Sequence, residues 1–314
     1  MKFGGTLFCV ITAFALFSMA SETFSPVPYP DAFDSRVKLT SLVSSAQILE
    51  RPPVLLPLPE DIKKNIVAPA DYEPEIAAQA ALIFRLQDGE ELLKFNAEGR
   101  HPLASLTKLM TAIIAVERMG LARGITLNED DIAQEGSAGD FASGEVFSVE
   151  DMISSMFVAS SNDAAGALSR VYGARSFVDA MQQKAAELGM GGTSFAESIG
   201  FTSLNQSTAR DVGVLIKYIN ARHPYFFKAA MEKEVEIKEL TFGKTHSIKN
   251  INKFAGRDDF RGGKTGYTEE AGGNLVSIFR TNGSDFVIIV LGATDSEARF
   301  IEAERLYEWL KGVL

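Results

Sequence analysis

Apolar and polar positions divide the 314-residue chain into segments of different rhythm. From Ala80, the run "AALIFRL", the pair Asp88-Gly89 and the run "ELLKF" predict a β-hairpin, since an Asp-Gly turn between two short apolar runs suits paired strands. "GGNLVSIFR", the turn "TNGSD" and "FVIIVLGAT" predict a second hairpin from Gly272 onward. Between the hairpins the spacing lengthens to that of helices. One helix is expected from Ser105, with Ser105 as its candidate cap and Leu106, Leu109 and Met110 facing a core. A second runs from Val149 to Gly173, interrupted by four polar residues, Ser160 to Asp163. A third starts at Ala174 and stops at Gly189, and a fourth is "STARDVGVLIKYINAR", capped by Ser207 or Thr208. Residues 125–148 read mostly as loop. A last amphipathic helix is expected from about Ser296 to Leu310. Strands at both ends and helices between them predict an α/β (α+β) fold, in which an antiparallel sheet built by both ends carries an inserted helical subdomain.

Proline sets off what precedes this unit. Nine of the eleven prolines lie between Pro26 and Pro74, where they cannot support a regular ladder. Residues 21–75 are therefore expected to be a linker or a segment packed along the surface. Residues 1–20 differ again. Lys2 is followed by an uncharged apolar stretch from Phe3 to Ala20, with small residues at Ser18 and Ala20. That pattern predicts a secretory signal cleaved after Ala20, the alternative being a retained anchor. The folded unit is expected over residues 76–314.

Composition narrows the partners. The net charge of −10 leaves no basic excess to neutralise nucleic-acid phosphates. Cys9, the one cysteine, lies inside the predicted signal, so the mature chain would have no disulfide or cysteine nucleophile. His101, His223 and His246 form no zinc-binding pattern.

Three polar stretches could carry chemistry. Ser105 and Lys108 sit three residues apart, on one face of a helix. Alone, they are better read as a capped helix with a surface lysine. The alternative is a serine nucleophile beside a lysine base, which requires the lysine pKa to fall toward the working pH. Ser160, Ser161, Asn162 and Asp163 form either a helix break or a catalytic loop. "GGKTG", from Gly262 to Gly266, is either a glycine-rich hairpin edge or a phosphate loop. The latter lacks its first glycine, because Asp258 stands there.

Taken together and in order, Ser-x-x-Lys, Ser-x-Asn and Lys-Thr-Gly resemble the serine D-alanyl-D-alanine carboxypeptidases, the low-molecular-mass penicillin-binding proteins. The resemblance is densest at "LASLTKLMTA", "SSNDAA", "STARD" and "GGKTGYTEEAGGNLV" and covers about residues 76–312. It implies a β-lactamase/DD-peptidase-like fold and a serine peptidase without metal or organic cofactor. Ser105 would be the acylated nucleophile, Lys108 its proton acceptor, Ser160 the proton relay to the leaving amine and Asn162 a holder of the substrate backbone. Lys264 would keep Lys108 neutral, Thr265, Gly266 and Tyr267 would line the substrate, and Arg299 would receive its terminal carboxylate. The Ser105 and Tyr267 N–H groups would form the oxyanion hole, and Arg210 would have a structural role. The implied substrate is a peptidoglycan stem peptide ending in D-Ala-D-Ala, with β-lactams as covalent inhibitors. The implied location is the periplasm or cell envelope, or outside the cell, with peripheral or no membrane association once the signal is removed. A D,D-endopeptidase, a β-lactamase and a non-catalytic wall-binding homologue are the alternatives. The sequence departs from the family in placing Ser161 where glycine is common.

Overall fold

The computed structural model describes residues 74–314, except Gln134, Glu135 and Ser137. The expectations for residues 1–20 and for most of 21–75 therefore lie outside the described residues. Of the described helices, none is long and apolar enough to cross a membrane.

The first hairpin is β1 (Ala80–Arg85) with β2 (Glu91–Phe95), followed by a two-residue strand β3 (His101–Pro102). A 3₁₀ turn, Ala104–Thr107, leads into α1 (Lys108–Met119). Then come β4 (Gly124–Thr126), a single-turn helix α2 (Glu129–Ile132), β5 (Val146–Ser148), α3 (Val149–Val158), α4 (Asn162–Tyr172) and α5 (Ala174–Glu187). After β6 (Gln206–Ser207), α6 spans Ala209–Arg222 and α7 spans Phe226–Met231. A ribbon of β7 (Glu234–Lys238) and β8 (Thr245–Lys249) precedes β9 (Phe260–Thr268), β10 (Gly272–Thr281), β11 (Ser284–Ala293) and α8 (Ala298–Val313).

The principal sheet has the order β2-β1-β11-β10-β9, and every neighbouring pair is antiparallel. Both ends of the unit thus meet at its centre, where Leu82 pairs with Ile289 and Ile83 with Ile288. Alternate residues face opposite sides. Leu82, Phe84, Val287, Ile289 and Leu291 join the larger core beneath the helical subdomain. Ile83, Phe286, Ile288 and Val290 face α8, whose Phe300, Ala303, Leu306 and Leu310 cover them. Burial on both faces explains why "ALIF" and "FVIIVL" are continuously apolar rather than alternating. Phe279 and Tyr307 stack at 4.2 Å on the α8 side.

Caps fix the helix starts. Ser148 Oγ accepts from Asp151 N at 3.0 Å to begin α3, and Thr208 Oγ1 accepts from Asp211 N at 3.0 Å to begin α6. Arg210, in the first turn of α6, pairs with Glu91 and Glu98, a structural role that ties this helix to the first hairpin. The helix expected from Ser105 does begin there, but as a 3₁₀ turn with no side-chain cap, so Ser105 is not a capping residue. The β7–β8 ribbon and α7 were not expected, although "EVEIK" alternates with Ile237 buried between exposed neighbours.

β9 is an edge strand of the principal sheet, and the glycines before Lys264 let it lie close to β10. A Cβ at Gly263 would stand 2.1 Å from Val276 O. Gly263→Ala is expected to lower stability by about 1–3 kcal/mol through this overlap, measured as a fall in the urea midpoint.

Candidate active site

The site forms where the 3₁₀ turn, the break between α3 and α4, the loop after α5 and the β9 edge converge. Leu106, Leu109 and Met110 are buried, so core packing fixes the turn that carries Ser105. Ala104, just before Ser105, has φ 46°, and Ser160 has φ 58°. Both are left-handed conformations that non-glycine residues adopt at a cost of about 1–2 kcal/mol. Their neighbours hold them there.

Lys108 is fully buried. Its Nζ donates to Asn162 Oδ1 and to Ile199 O, each at 2.7 Å, and lies 3.0 Å from Ser105 Oγ. The first two partners can only accept. A neutral amine has two N–H donors and one lone pair. With both donors engaged, the lone pair is directed at Ser105. Burial brings the Lys108 pKa down from 10.5 to about 7, while the charge of Glu197 acts in the opposite sense. At neutral pH a substantial fraction of Lys108 can therefore accept a proton from Ser105. Burial, rather than the charge of Lys264, is the chief cause of this lowering.

Lys264 is also fully buried, with Nζ donating to Ser160 Oγ and to Thr265 O, each at 2.8 Å. Its pKa falls well below the ordinary lysine value, first through burial and then through the positive charges of Lys108 and Arg299. The polar break divides its work. Ser161 Oγ accepts from Ala164 N at 3.2 Å and caps α4, Ser160 turns to Lys264, and Asn162 turns to Lys108. Serine at the position where glycine is common is thus a helix cap.

Gly266 brings β9 against the backbone of Ser105, since a Cβ there would lie 3.2 Å from Ser105 N. Thr265 is buried, while Tyr267 is 45% exposed at the outer end of the strand. Arg299, at the start of α8, donates from Nη1 to Gly266 O at 2.7 Å. Burial lowers its pKa to about 10, so it remains charged at neutral pH. Its buried Nε has no hydrogen-bond partner among the described residues. All nine predicted residues therefore lie on the elements that meet here, with direct contacts among Ser105, Lys108 and Asn162, between Ser160 and Lys264, and from Arg299 to β9. The sequence reading missed Ile199, whose contribution is a backbone carbonyl. It also missed the effect of the Glu197 charge on Lys108. Among the described residues, no group of three or more His, Cys, Asp or Glu gathers in a way that could hold a metal ion.

A buried lysine amine aimed at a serine, on an antiparallel sheet with an inserted helical subdomain, defines a serine hydrolase of the penicillin-binding class. Residues 67–295 match the D-alanyl-D-alanine carboxypeptidase family, and the chain belongs to that family. The D-alanyl-D-alanine endopeptidase of Escherichia coli (strain K12) is 29% identical over 262 residues, covering 81% of this chain and 83% of its own. The D-alanyl-D-alanine carboxypeptidase DacC of the same organism is 32% identical over 252 residues, covering 75% of this chain and 62% of its own. Among solved structures, Penicillin-Binding Protein D2 from Listeria monocytogenes in its ampicillin-bound form superposes with TM-score 0.67 at 29% identity. That match covers 76% of this chain and 99% of the other.

The Ser161 cap gives a direct check. Ser161→Ala is expected to lose about 1 kcal/mol of stability, and Ser161→Gly only a few tenths, as read from equilibrium unfolding.

Proposed function

We propose that this family member removes the terminal D-alanine from peptidoglycan stem peptides through an acyl-enzyme on Ser105. The observation that carries the reading is the buried Lys108 amine, bonded to Asn162 Oδ1 and Ile199 O and 3.0 Å from Ser105 Oγ, an arrangement that in the neutral amine leaves the lone pair for Ser105. Ser105 Oγ attacks the carbonyl of the penultimate D-alanine as its proton passes to Lys108. Asn162 and the β9 edge at Thr265, Gly266 and Tyr267 hold the substrate backbone. The Ser105 and Tyr267 N–H groups stabilise the oxyanion. Ser160, hydrogen-bonded to Lys264, delivers a proton to the departing amine. The peptide C–N bond breaks and D-alanine leaves. Water then cleaves the ester, restoring Ser105. Arg299, charged at neutral pH and held against the β9 edge through Gly266 O, receives the terminal carboxylate.

β-Lactams enter the same reaction and remain as acyl-enzymes, in keeping with the ampicillin-bound neighbour. Slow deacylation fits the placement of Glu197. Its carboxylate accepts from Ile199 N, Gly200 N, Phe201 N and Asn205 Nδ2, so it is bound within its own loop rather than free to activate water. Rapid turnover of a chromogenic cephalosporin would contradict this. The substrate places the protein in the cell envelope, after export directed by residues 1–20. Endopeptidase action on cross-links is the second reading, supported by the 29% identity to the E. coli endopeptidase over 262 residues.

Fluorescent penicillin is expected to label the wild type and not Ser105→Ala; a folded wild type that takes no label would contradict the acyl-enzyme. Mass spectrometry of digested muropeptides separates the two peptidase readings. Loss of one D-alanine marks the carboxypeptidase, and conversion of dimers to monomers the endopeptidase. The neutral Lys108 amine is the competent form, so acylation should rise with pH to a plateau with its midpoint near 7. About one pH unit below that midpoint, only on the order of a tenth of the amine remains neutral. A flat profile between pH 5 and 9 would contradict the role of Lys108.

A further inference from the structure

We propose that Glu197 is a positioning residue for the general base, acting through the Ile199 carbonyl, which fixes the Lys108 amine. This deepens the acyl-enzyme reading above and rests on it.

The segment from Phe195 to Asn205 has no helix or strand of its own. Within it, Glu197 closes a tight turn around its own carboxylate. Oε2 accepts from Ile199 N at 2.5 Å, and Oε1 accepts from Gly200 N at 2.7 Å and Phe201 N at 3.0 Å. Asn205 locks the carboxylate from behind. Its Nδ2 donates to Glu197 Oε1 at 2.8 Å, to Glu197 O at 3.0 Å and to Thr107 Oγ1 at 3.1 Å, next to Lys108. Its Oδ1 accepts from Ala196 N at 2.6 Å.

Two consecutive carbonyls leave this turn for α1. Ser198 O accepts from Thr111 Oγ1 at 2.6 Å, and Ile199 O accepts from Lys108 Nζ at 2.7 Å. The next residue, Gly200, lies against the nucleophile's backbone, since a Cβ there would stand 2.0 Å from Ala104 O. One turn therefore touches both the base and the backbone leading into the nucleophile.

One side of this turn is not packed against other residues. A cavity of about 610 Å³ lies against it, lined by Arg170, Arg175, Phe195, Glu197, Ser198 and Ile199 among others. With space on that side, the carboxylate's hydrogen bonds set where Ile199 O points. They decide whether the Lys108 lone pair meets Ser105, because the amine rotates to follow its acceptors.

Glu197 also bears on Lys108 through its charge. The groups facing the amine are Ser105 from the 3₁₀ turn, Asn162 from α4 and the Ile199 carbonyl, all neutral. The charged group acting on it is Glu197 from this loop; Lys264 from β9 lies near enough that the Lys108 charge lowers its pKa. Glu197 opposes the burial effect and raises the Lys108 pKa. Position and charge can therefore be separated by substitution. Glu197→Gln keeps the size, removes the charge and sets an amide N–H against the Ile199 N–H. Glu197→Asp keeps the charge and shortens the reach.

The experiment measures the rate constant for acylation of the full chain by fluorescent penicillin from pH 5 to 9, per cooperatively melting molecule, in the wild type and both variants. The plateau rate is expected to fall about tenfold or more in each variant, in keeping with displacement of a reacting group. The pH midpoint should move lower in Glu197→Gln and stay in place in Glu197→Asp. Wild-type plateau and midpoint in folded Glu197→Gln would overturn the proposal, as would a lowered melting temperature with neither kinetic change. If only Glu197→Asp folds, an undiminished plateau overturns it. If neither folds, Glu197 is a folding determinant and the proposal fails. A wild type that does not acylate would instead sink the acyl-enzyme reading, so the two failures are distinguishable.

Discussion

Burial of one lysine amine is the constraint on which the site depends. An ammonium withdrawn from water loses its hydration, and the group responds by giving up its proton more readily. Lys108 can be buried because α1 packs through Leu109, Met110, Ile113 and Ile114 into the larger core, which places the first turn of the helix beneath the surface. It remains useful because two fixed acceptors use up its donors and leave one direction open. The same burial that makes a charged lysine unfavourable for folding brings its pKa down to about 7.

The remaining elements supply what that amine lacks by itself. The break between α3 and α4 provides Asn162 and, through Ser161, its own helix start. The β9 edge brings Lys264 to Ser160 and Gly266 to the Ser105 backbone, and α8 reinforces that edge through Arg299. These parts come from distant stretches of chain. The antiparallel sheet reconciles them by pairing its first strand with its last, so the helical insertion and the sheet edge are both held against one core.

Much of this was legible from residue order. The hairpins at both ends, the helix break expected at Ser160–Asp163 and found at residues 159–161, and the three polar motifs carry strong signals, because side-chain identity and period determine them. The site also depends on features without such a signal. The Ile199 contribution is a main-chain carbonyl, which any residue could offer. Glu197 reads as one acid among 41 acidic residues, and the contacts of its carboxylate emerge only when the loop folds around it. Ser105 resembled a cap because serine favours helix starts, yet its hydroxyl faces Lys108 instead. The β7–β8 ribbon went unrecognised although its alternation is regular, whereas α7, at six residues, is too short for a clear helical period.

The central claim is that Lys108 is a near-neutral base because it is buried. Its most direct test is NMR titration of lysines labelled at the carbon next to Nζ, with the Lys108 resonance assigned by its loss in Lys108→Arg. A midpoint near 7 is expected for Lys108, against the ordinary 10.5. A Lys108 signal that stays protonated through pH 9 would contradict the account.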